Sequence, residues 1–298
     1  MYTFRVCSVI LLYYQNKRDM ENIRTWFITG ASKGFGLSLV RQLLEAGQNV
    51  AATSRDLDAL VAAVGRTAPN FLPLEVDLAN EDSVGCALHQ TNAAFKSIDV
   101  VINNAGYGIG GSIEELSDRE TRDCFEINVF GTLNVIRTVM PYMRAQMSGH
   151  IINISSIAGI AATSGWAVYA ATKFSVVGLS EVLAQDVAEF GVKVTVVAPG
   201  AFRTSFLNAD SINIAQHTIR EYTTVHNAQE LLLTKDGKQD GDPEKAAAAI
   251  IDVAFMENPP LYLLLGDDAF NRAMAKLERL KKEFLLNEEL SKAMAYHG

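Results

Sequence analysis

The chain has 298 residues, 49% of them hydrophobic and 20% charged, with a formal net charge of −8. That apolar content excludes a disordered chain and supports one large globular domain or at most two small ones, while the acidic balance argues against a nucleic-acid partner. Cys7, Cys86 and Cys124 stand far apart, with no CxxC and no histidine at ligand spacing, so no disulfide framework and no metal site are expected, and a reducing cytoplasm is.

Residues 1–24 read as an extension ahead of the fold. Its apolar stretch, 6–14, falls far short of the ~20 residues that span a bilayer, and no small-residue cleavage site follows it. Met20-Glu21-Asn22-Ile23-Arg24 is a more ordinary beginning, so translation is expected to start at Met20. Short β-type runs at 25–29, 49–53, 71–76, 98–103, 150–155, 193–198 and 261–265 then alternate with helical patterns at 36–46, 57–64, 81–96, 118–147, 169–190 and 243–256. This alternation predicts a single Rossmann-like, doubly wound α/β domain over 25–266, with a seven-stranded parallel sheet and helices on both faces. Residues 201–242 break the rhythm, and long excursions in compact domains are commonly functional lids. Asp267 is placed to N-cap a charged helix running to about Lys282, ahead of a polar tail, so 267–298 form a C-terminal helical tail.

Thr29-Gly30-Ala31-Ser32-Lys33-Gly34-Phe35-Gly36 joins the first strand to the first helix. Glycines there permit a tight turn and the close approach of a pyrophosphate, which rests on the helix N-terminus. Gly30 to Gly34 also spells GxSxG, the nucleophile elbow of α/β-hydrolases. That reading needs a histidine at a strand end, and neither His217, His226 nor His297 lies at one; it also leaves Gly36 unexplained. At the tip of the second strand, where an acid would bind the adenosine ribose and repel a 2′-phosphate, stand Ser54 and Arg55, with Lys33 close by. These favour NADP(H) over NAD(H), while Asp56 begins the next helix as its cap. Each charge-assisted contact would contribute roughly 1.5–3 kcal/mol.

Tyr169-Ala170-Ala171-Thr172-Lys173 sets a phenol and an ammonium one helical turn apart on one face. Half-ionising a tyrosine at neutral pH, against its ordinary pKa near ~10, takes roughly 4 kcal/mol. An exposed lysine supplies less, so a second positive charge such as oxidised nicotinamide is expected beside the ring.

Together these motifs resemble the short-chain dehydrogenase/reductase family over about 25–265: TGxxxGxG at Thr29 to Gly36, Asp77 after the third strand, Asn103-Asn104-Ala105-Gly106 after the fourth, then Asn128, Ser156, Tyr169, Lys173, Pro199-Gly200 and Thr204. The resemblance implies an NADP(H)-dependent oxidoreductase, a carbonyl reductase or alcohol dehydrogenase, that interconverts a carbonyl and an alcohol. Tyr169 would be its acid/base. Ser156, preferred to Ser155 by its distance from Tyr169, would hold the substrate oxygen. Lys173 would hold the nicotinamide ribose and lower the tyrosine pKa, and Asn128 would anchor a water for proton return. Gly30, Ser32, Lys33, Gly34, Phe35 and Gly36 would cradle the cofactor. Asp77 and Leu78 would contact the adenine, and Asn104, Ala105 and Gly106 would line its ribose. Pro199, Gly200, Phe202 and Thr204 would close over the nicotinamide and its phosphate. The alternative is a catalytically silent NADP(H)-sensing regulatory protein.

Tyr107, Ile109, Ile157, Ala161, Ala162, Trp166, Val168, Phe202, Phe206 and Leu207 are the expected substrate walls. They are mostly apolar and include no arginine to clamp a carboxylate, Arg203 being the nearest. An uncharged, largely hydrophobic small-molecule ketone, aldehyde or secondary alcohol is therefore expected, steroid-, retinoid- or lipid-like molecules included. The long helices 118–147 and 169–190 are those that many family members pair, so a homodimer or homotetramer is expected, with no membrane span.

Overall fold

A computed structural model describes residues 23–208 and 211–296. The expected leader, the Met20 start, Cys7 and His297 lie outside the described residues. In chain order the strands are β1 (Thr25–Ile28), β2 (Asn49–Ser54), β3 (Phe71–Glu75), β4 (Val100–Asn103), β5 (Gly108–Gly110), β6 (Gly149–Ile154), β7 (Val192–Pro199), β8 (Ile212–Ile214) and β9 (Tyr262–Leu265). The helices are α1 (Gly34–Glu45), α2 (Leu57–Val64), α3 (Glu81–Phe95), α4 (Asp118–Phe125), α5 (Gly131–Gln146), α6 (Ala167–Asp186), α7 (Thr223–Leu233), α8 (Pro243–Phe255), α9 (Asp267–Leu286) and α10 (Glu288–Lys292).

The expected parallel sheet of seven strands forms, in the order β3-β2-β1-β4-β6-β7-β9. Side chains alternate along a strand, and both faces of this sheet are covered, so consecutive apolar residues part to opposite layers. Trp26 and Ile28 pack with Leu39, Leu43, Leu60 and Ile250 of α1, α2 and α8. Phe27, between them, packs with Leu88, Val139 and Met143 of α3 and α5. Each fully buried side chain of this kind contributes roughly 1.5–3 kcal/mol. The chain runs outward from β1 to β3 on one side, then returns to β4 and runs the other way. The strand ends diverge at that switch point and leave a crevice at their carboxyl edge.

Four features differ from the sequence-based expectation. The segment 118–147 is two helices, because a π-helical turn at Glu126–Phe130 separates α4 from α5. Backbone angles at Phe125 and Gly131 stay helical, so apolar periodicity gives no sign of the inserted residue. A second sheet pairs β5 with β8 in parallel and fastens the long excursion to the body. One strand is Gly-Ile-Gly and the other lies inside a polar loop, so neither has a strand signature. The cap of α9 is Gly266, at φ 96, and Asp267 is already the first helical residue. The helix runs on to Leu286, and α10 stands where a polar tail was expected. Asp56 does cap α2, its carboxylate accepting the N–H of Ala59 at 2.8 Å. Among the described residues α6 has the length and hydropathy of a membrane span, but it carries seven buried residues and packs on β7 and the turn after β6.

Candidate active site

The loop after β1 is built around close backbone contacts. Gly30 has φ +66, and a Cβ there would lie 2.8 Å from the Cα of Ala105, after β4. A Cβ on Gly36 would lie 2.4 Å from the Gly30 carbonyl oxygen. The Asn104 amide rivets the two loops by donating to the carbonyls of Thr29 and Gly30, both at 2.9 Å. The first turn of α1 has no acidic residue and its cap, Lys33, makes no side-chain capping bond, so its N–H groups remain for an anion. Across from them is Thr204, whose Cβ would stand 3.7 Å from a Cβ on Gly34, and Phe35 meets Phe202 edge-on at 5.2 Å. A dinucleotide fits this cradle: glycine-lined backbone, orphan N–H donors, and a hydroxyl and an aromatic ring facing them.

A cavity of about 400 Å³ runs along the carboxyl edge of the sheet. Its wall holds Gly30, Ser32, Lys33, Gly34, Phe35, Ser54, Arg55, Leu78, Asn104, Ala105, Gly106, Ser156, Tyr169, Lys173, Pro199, Gly200, Phe202 and Thr204. Gly36, Asp77 and Asn128 stand off it. Gly36 acts beneath the turn rather than on its surface. The Asp77 carboxylate folds back to accept the N–H of Ala79 at 3.0 Å. At the far end Ser54 Oγ accepts from the N–H of Asp56 at 3.2 Å, and Arg55 is exposed.

Tyr169 sits in the first turn of α6, buried, its ring 5.8 Å from that of Phe206. Lys173, also buried, places Nζ 5.9 Å from the Tyr169 ring centre and donates to the Ile154 carbonyl at 2.9 Å. The two serines after β6 divide their work. Ser155 donates to the Lys173 carbonyl at 2.9 Å and so ties down α6, while Ser156 Oγ accepts from Ala158 N–H at 3.1 Å. Burial pushes the phenol of Tyr169 well above its ordinary pKa; the Ser156 hydroxyl pulls it back and Cys124 adds to the rise. Burial also pushes Lys173 down to about 8, against the opposing pull of Cys124. In the protein alone, burial dominates the Tyr169 phenol and acts upward. Asn128, on the π-helical turn, spends its amide on protein. It accepts from Tyr107 N–H at 3.0 Å and donates to the Tyr107 carbonyl at 2.9 Å and Thr172 Oγ1 at 3.0 Å. It therefore fixes the backbone at Tyr107, just before β5, against α6.

The sequence profile described as short chain dehydrogenase matches residues 24–214. The chain belongs to the short-chain dehydrogenase family. It is 35% identical to "Oxidoreductase BOA17" of Botryotinia fuckeliana, over 91% of this chain and 99% of that protein. It is 36% identical to a 3-ketodihydrosphingosine reductase of Bacteroides thetaiotaomicron, over 80% of this chain and 86% of that one. A short-chain dehydrogenase from Streptomyces avermitilis superposes with a TM-score of 0.83 at 34% identity, covering 92% of this chain and 99% of its own. Two chains at 24% identity share the fold. One, from Burkholderia phymatum, was solved with NAD (TM-score 0.74, 93% and 98% covered), and one, from Burkholderia cenocepacia, with NADP (0.69, 89% and 97%).

The rest of this short-chain dehydrogenase's cavity wall was only partly foreseen. Tyr107, Ile157, Trp166, Phe202, Phe206 and Leu207 line it, whereas Ile109, Ala161, Ala162 and Val168 do not. Arg203 is turned away, its Nε donating to the Gln239 carbonyl at 3.1 Å. Other polar side chains enter instead: Lys235 and Gln239 from the excursion, and Asp268 and Arg272 from α9. No sequence signal marked them beyond the one-turn spacing of Asp268 and Arg272.

The excursion is fastened by three carboxylates around α4. Glu114 accepts from the Tyr222 hydroxyl at 2.7 Å, and Glu120 from Gln216 N–H at 3.1 Å. Glu115, buried, accepts from Ser112 N–H at 2.9 Å, Ile219 N–H at 2.8 Å and His226 Nε2 at 2.6 Å. Burial alone would raise the pKa of Glu115, but those backbone N–H groups, His226 and the Ser112 hydroxyl outweigh it and hold it at about 2. His226 is engaged here, and no histidine among the described residues lines the cavity beside the glycine turn.

Proposed function

We propose that this short-chain dehydrogenase is an NADP(H)-dependent carbonyl reductase or alcohol dehydrogenase acting on a small molecule with a hydrophobic body. The carrying observation is that Ser156, Tyr169 and Lys173 converge on one wall of a cavity that also includes a glycine turn and an uncapped helix N-terminus. When bound, the nicotinamide supplies or accepts the hydride. Gly30, Gly34 and the first N–H groups of α1 hold its pyrophosphate, with Thr204 opposite. Arg55 and Ser54 receive the 2′-phosphate, a reading supported by Asp56, whose carboxylate is committed to capping α2. Tyr169 gives its proton to the carbonyl oxygen in reduction, and its burial keeps that proton in place at neutral pH. Ser156 donates a hydrogen bond to the same oxygen and stabilises its developing charge. Lys173, its cation 5.9 Å from the ring, favours the phenolate that remains. Asn128 and Ser155 hold the backbone on which these groups stand. Residues 201–242 act as the lid that excludes water. A lipid-like ketone agrees with the apolar walls and with the name of the Bacteroides relative.

Turnover of a panel of hydrophobic ketones and alcohols, with NADPH binding followed by its fluorescence, tests this reading. Tyr169→Phe is expected to lose about 10²–10⁴-fold in kcat with cofactor binding retained. Full activity in that variant would refute the mechanism.

A further inference from the structure

Arg272 is a cation on the cavity wall that forms no ion pair among the described residues, Asp268 acting on it only from a distance. It projects from the second turn of α9, a helix seated on the turn after β6 through Ala269, Ala273 and Ile157. One guanidinium nitrogen donates to the Ala161 carbonyl at 2.5 Å, and that is its recorded protein hydrogen bond. Asp268, one turn earlier on the same helix, is the natural partner, yet the two form no ion pair within 4 Å. Its carboxylate is engaged elsewhere, accepting Ala201 N–H at 3.0 Å. Most of the guanidinium's N–H donors therefore have no acceptor among the described residues. Arg272 is half-buried, and it shares the cavity wall with apolar side chains such as Ile157, against which its helix is seated. A cation in such surroundings is costly unless an anion or acceptor meets it.

A second orphan lies on the same cavity wall. Gln239 is 5% exposed, and neither its amide nitrogen nor its amide oxygen has a hydrogen-bond partner among the described residues. It comes from the end of the lid, whereas Arg272 comes from α9, so two separate elements each bring an unmatched polar group to an apolar cavity. A purely hydrocarbon ligand would leave both unmatched, which is unfavourable for polar groups withdrawn from water.

We infer that the substrate carries an anionic oxygen group, a carboxylate or its equivalent, remote from the reacting carbonyl, and that Arg272 is the residue that reads it. A planar guanidinium suits this task because it can meet two oxygens at once. The position of Arg272 against Ala161, beyond Ser156 in the chain, assigns it to the substrate end and separates it from Arg55 at the second strand. This rests on the proposed reaction for the meaning of the site, though its test does not depend on turnover.

The test compares decanoate with 1-decanol as probes of the NADP⁺-loaded enzyme, by isothermal titration. Wild type is expected to bind decanoate at least tenfold more tightly. Arg272→Met should remove that preference, Arg272→Lys should restore part of it, and Arg272→Glu should transfer it to decylammonium. A tenfold preference corresponds to about 1.4 kcal/mol. Equal affinities in wild type, or an equal loss for both probes in Arg272→Met, would overturn the assignment. So would a tenfold loss of NADP⁺ affinity in that variant, because the anion would then be the cofactor's own phosphate. If Tyr169→Phe keeps its turnover while the decanoate preference follows Arg272, the reaction reading fails and the anion site stands. The reverse pattern fails the anion site alone.

Discussion

Glu115→Gln removes the charge at the centre of the lid's attachment while keeping an oxygen acceptor and nearly the same volume. In the folded protein Glu115 is held at about 2, against an ordinary 4.5, by N–H groups and a histidine that favour its ionised form. That difference corresponds to about 3 kcal/mol of stabilisation. The sign follows from the lowered pKa: the contribution is complete above pH 4.5 and is lost as the pH falls from there toward 2. Two of the bonds to Glu115, from Ile219 N–H and His226, come from the lid itself. Loss of about 2–3 kcal/mol, if it falls on local opening, raises the open population of the lid roughly 30- to 150-fold. Hydrogen exchange of peptides covering 211–233, at pH 7, reads this directly, with the β1–β4 peptides as internal reference. Wild type should also exchange faster, relative to that reference, as the pH falls below 4.5, and Glu115→Gln should lack this dependence. Lid exchange within twofold of wild type at pH 7 would refute the latch.

Two further outcomes follow from the site. The double variant Ser54→Asp, Arg55→Ala replaces the end proposed to receive the 2′-phosphate with one that would repel it. Its ratio of kcat/KM for NADPH over NADH should fall by about tenfold or more, measured as initial rates. The serine pair after β6 should separate by assay. Ser156→Ala is expected to cost about 10²–10³-fold in kcat with little change in Tm. Ser155→Ala, which frees the carbonyl of Lys173 inside the fold, should instead cost about 1–3 kcal/mol of stability.

The parts of this protein that are local in sequence are the parts that could be read from it. The glycine turn needs its residues within one strand–helix junction, and Tyr169 and Lys173 meet because one helical turn makes them meet. Strand alternation exposed the sheet, since both faces are buried and every strand is apolar. What escaped depends on packing between distant segments. The break at Glu126–Phe130 leaves the helical pattern of its neighbours intact, so the amide of Asn128 could not be seen to turn toward Tyr107. Asp77 has the expected position after β3, but a local turn takes its carboxylate. Arg272 and Gln239 carry no motif at all. They become cavity residues only because α9 settles on the turn after β6 and the lid folds back over Phe202.

The two ends of the cavity are completed at different points along the chain. The glycine-turn side of the cavity is fixed by the contact of the loop after β4 with the loop after β1, made within residues 30–105, while Phe202 and Thr204 face it from much later in the chain. The opposite wall waits for Asp268 and Arg272, which bind the backbones of Ala201 and Ala161 from the last long helix. A chain emerging from the ribosome would therefore hold the glycine turn and its rivet long before the last long helix arrives to close the cavity. Synthesis itself sets the order in which the two walls appear.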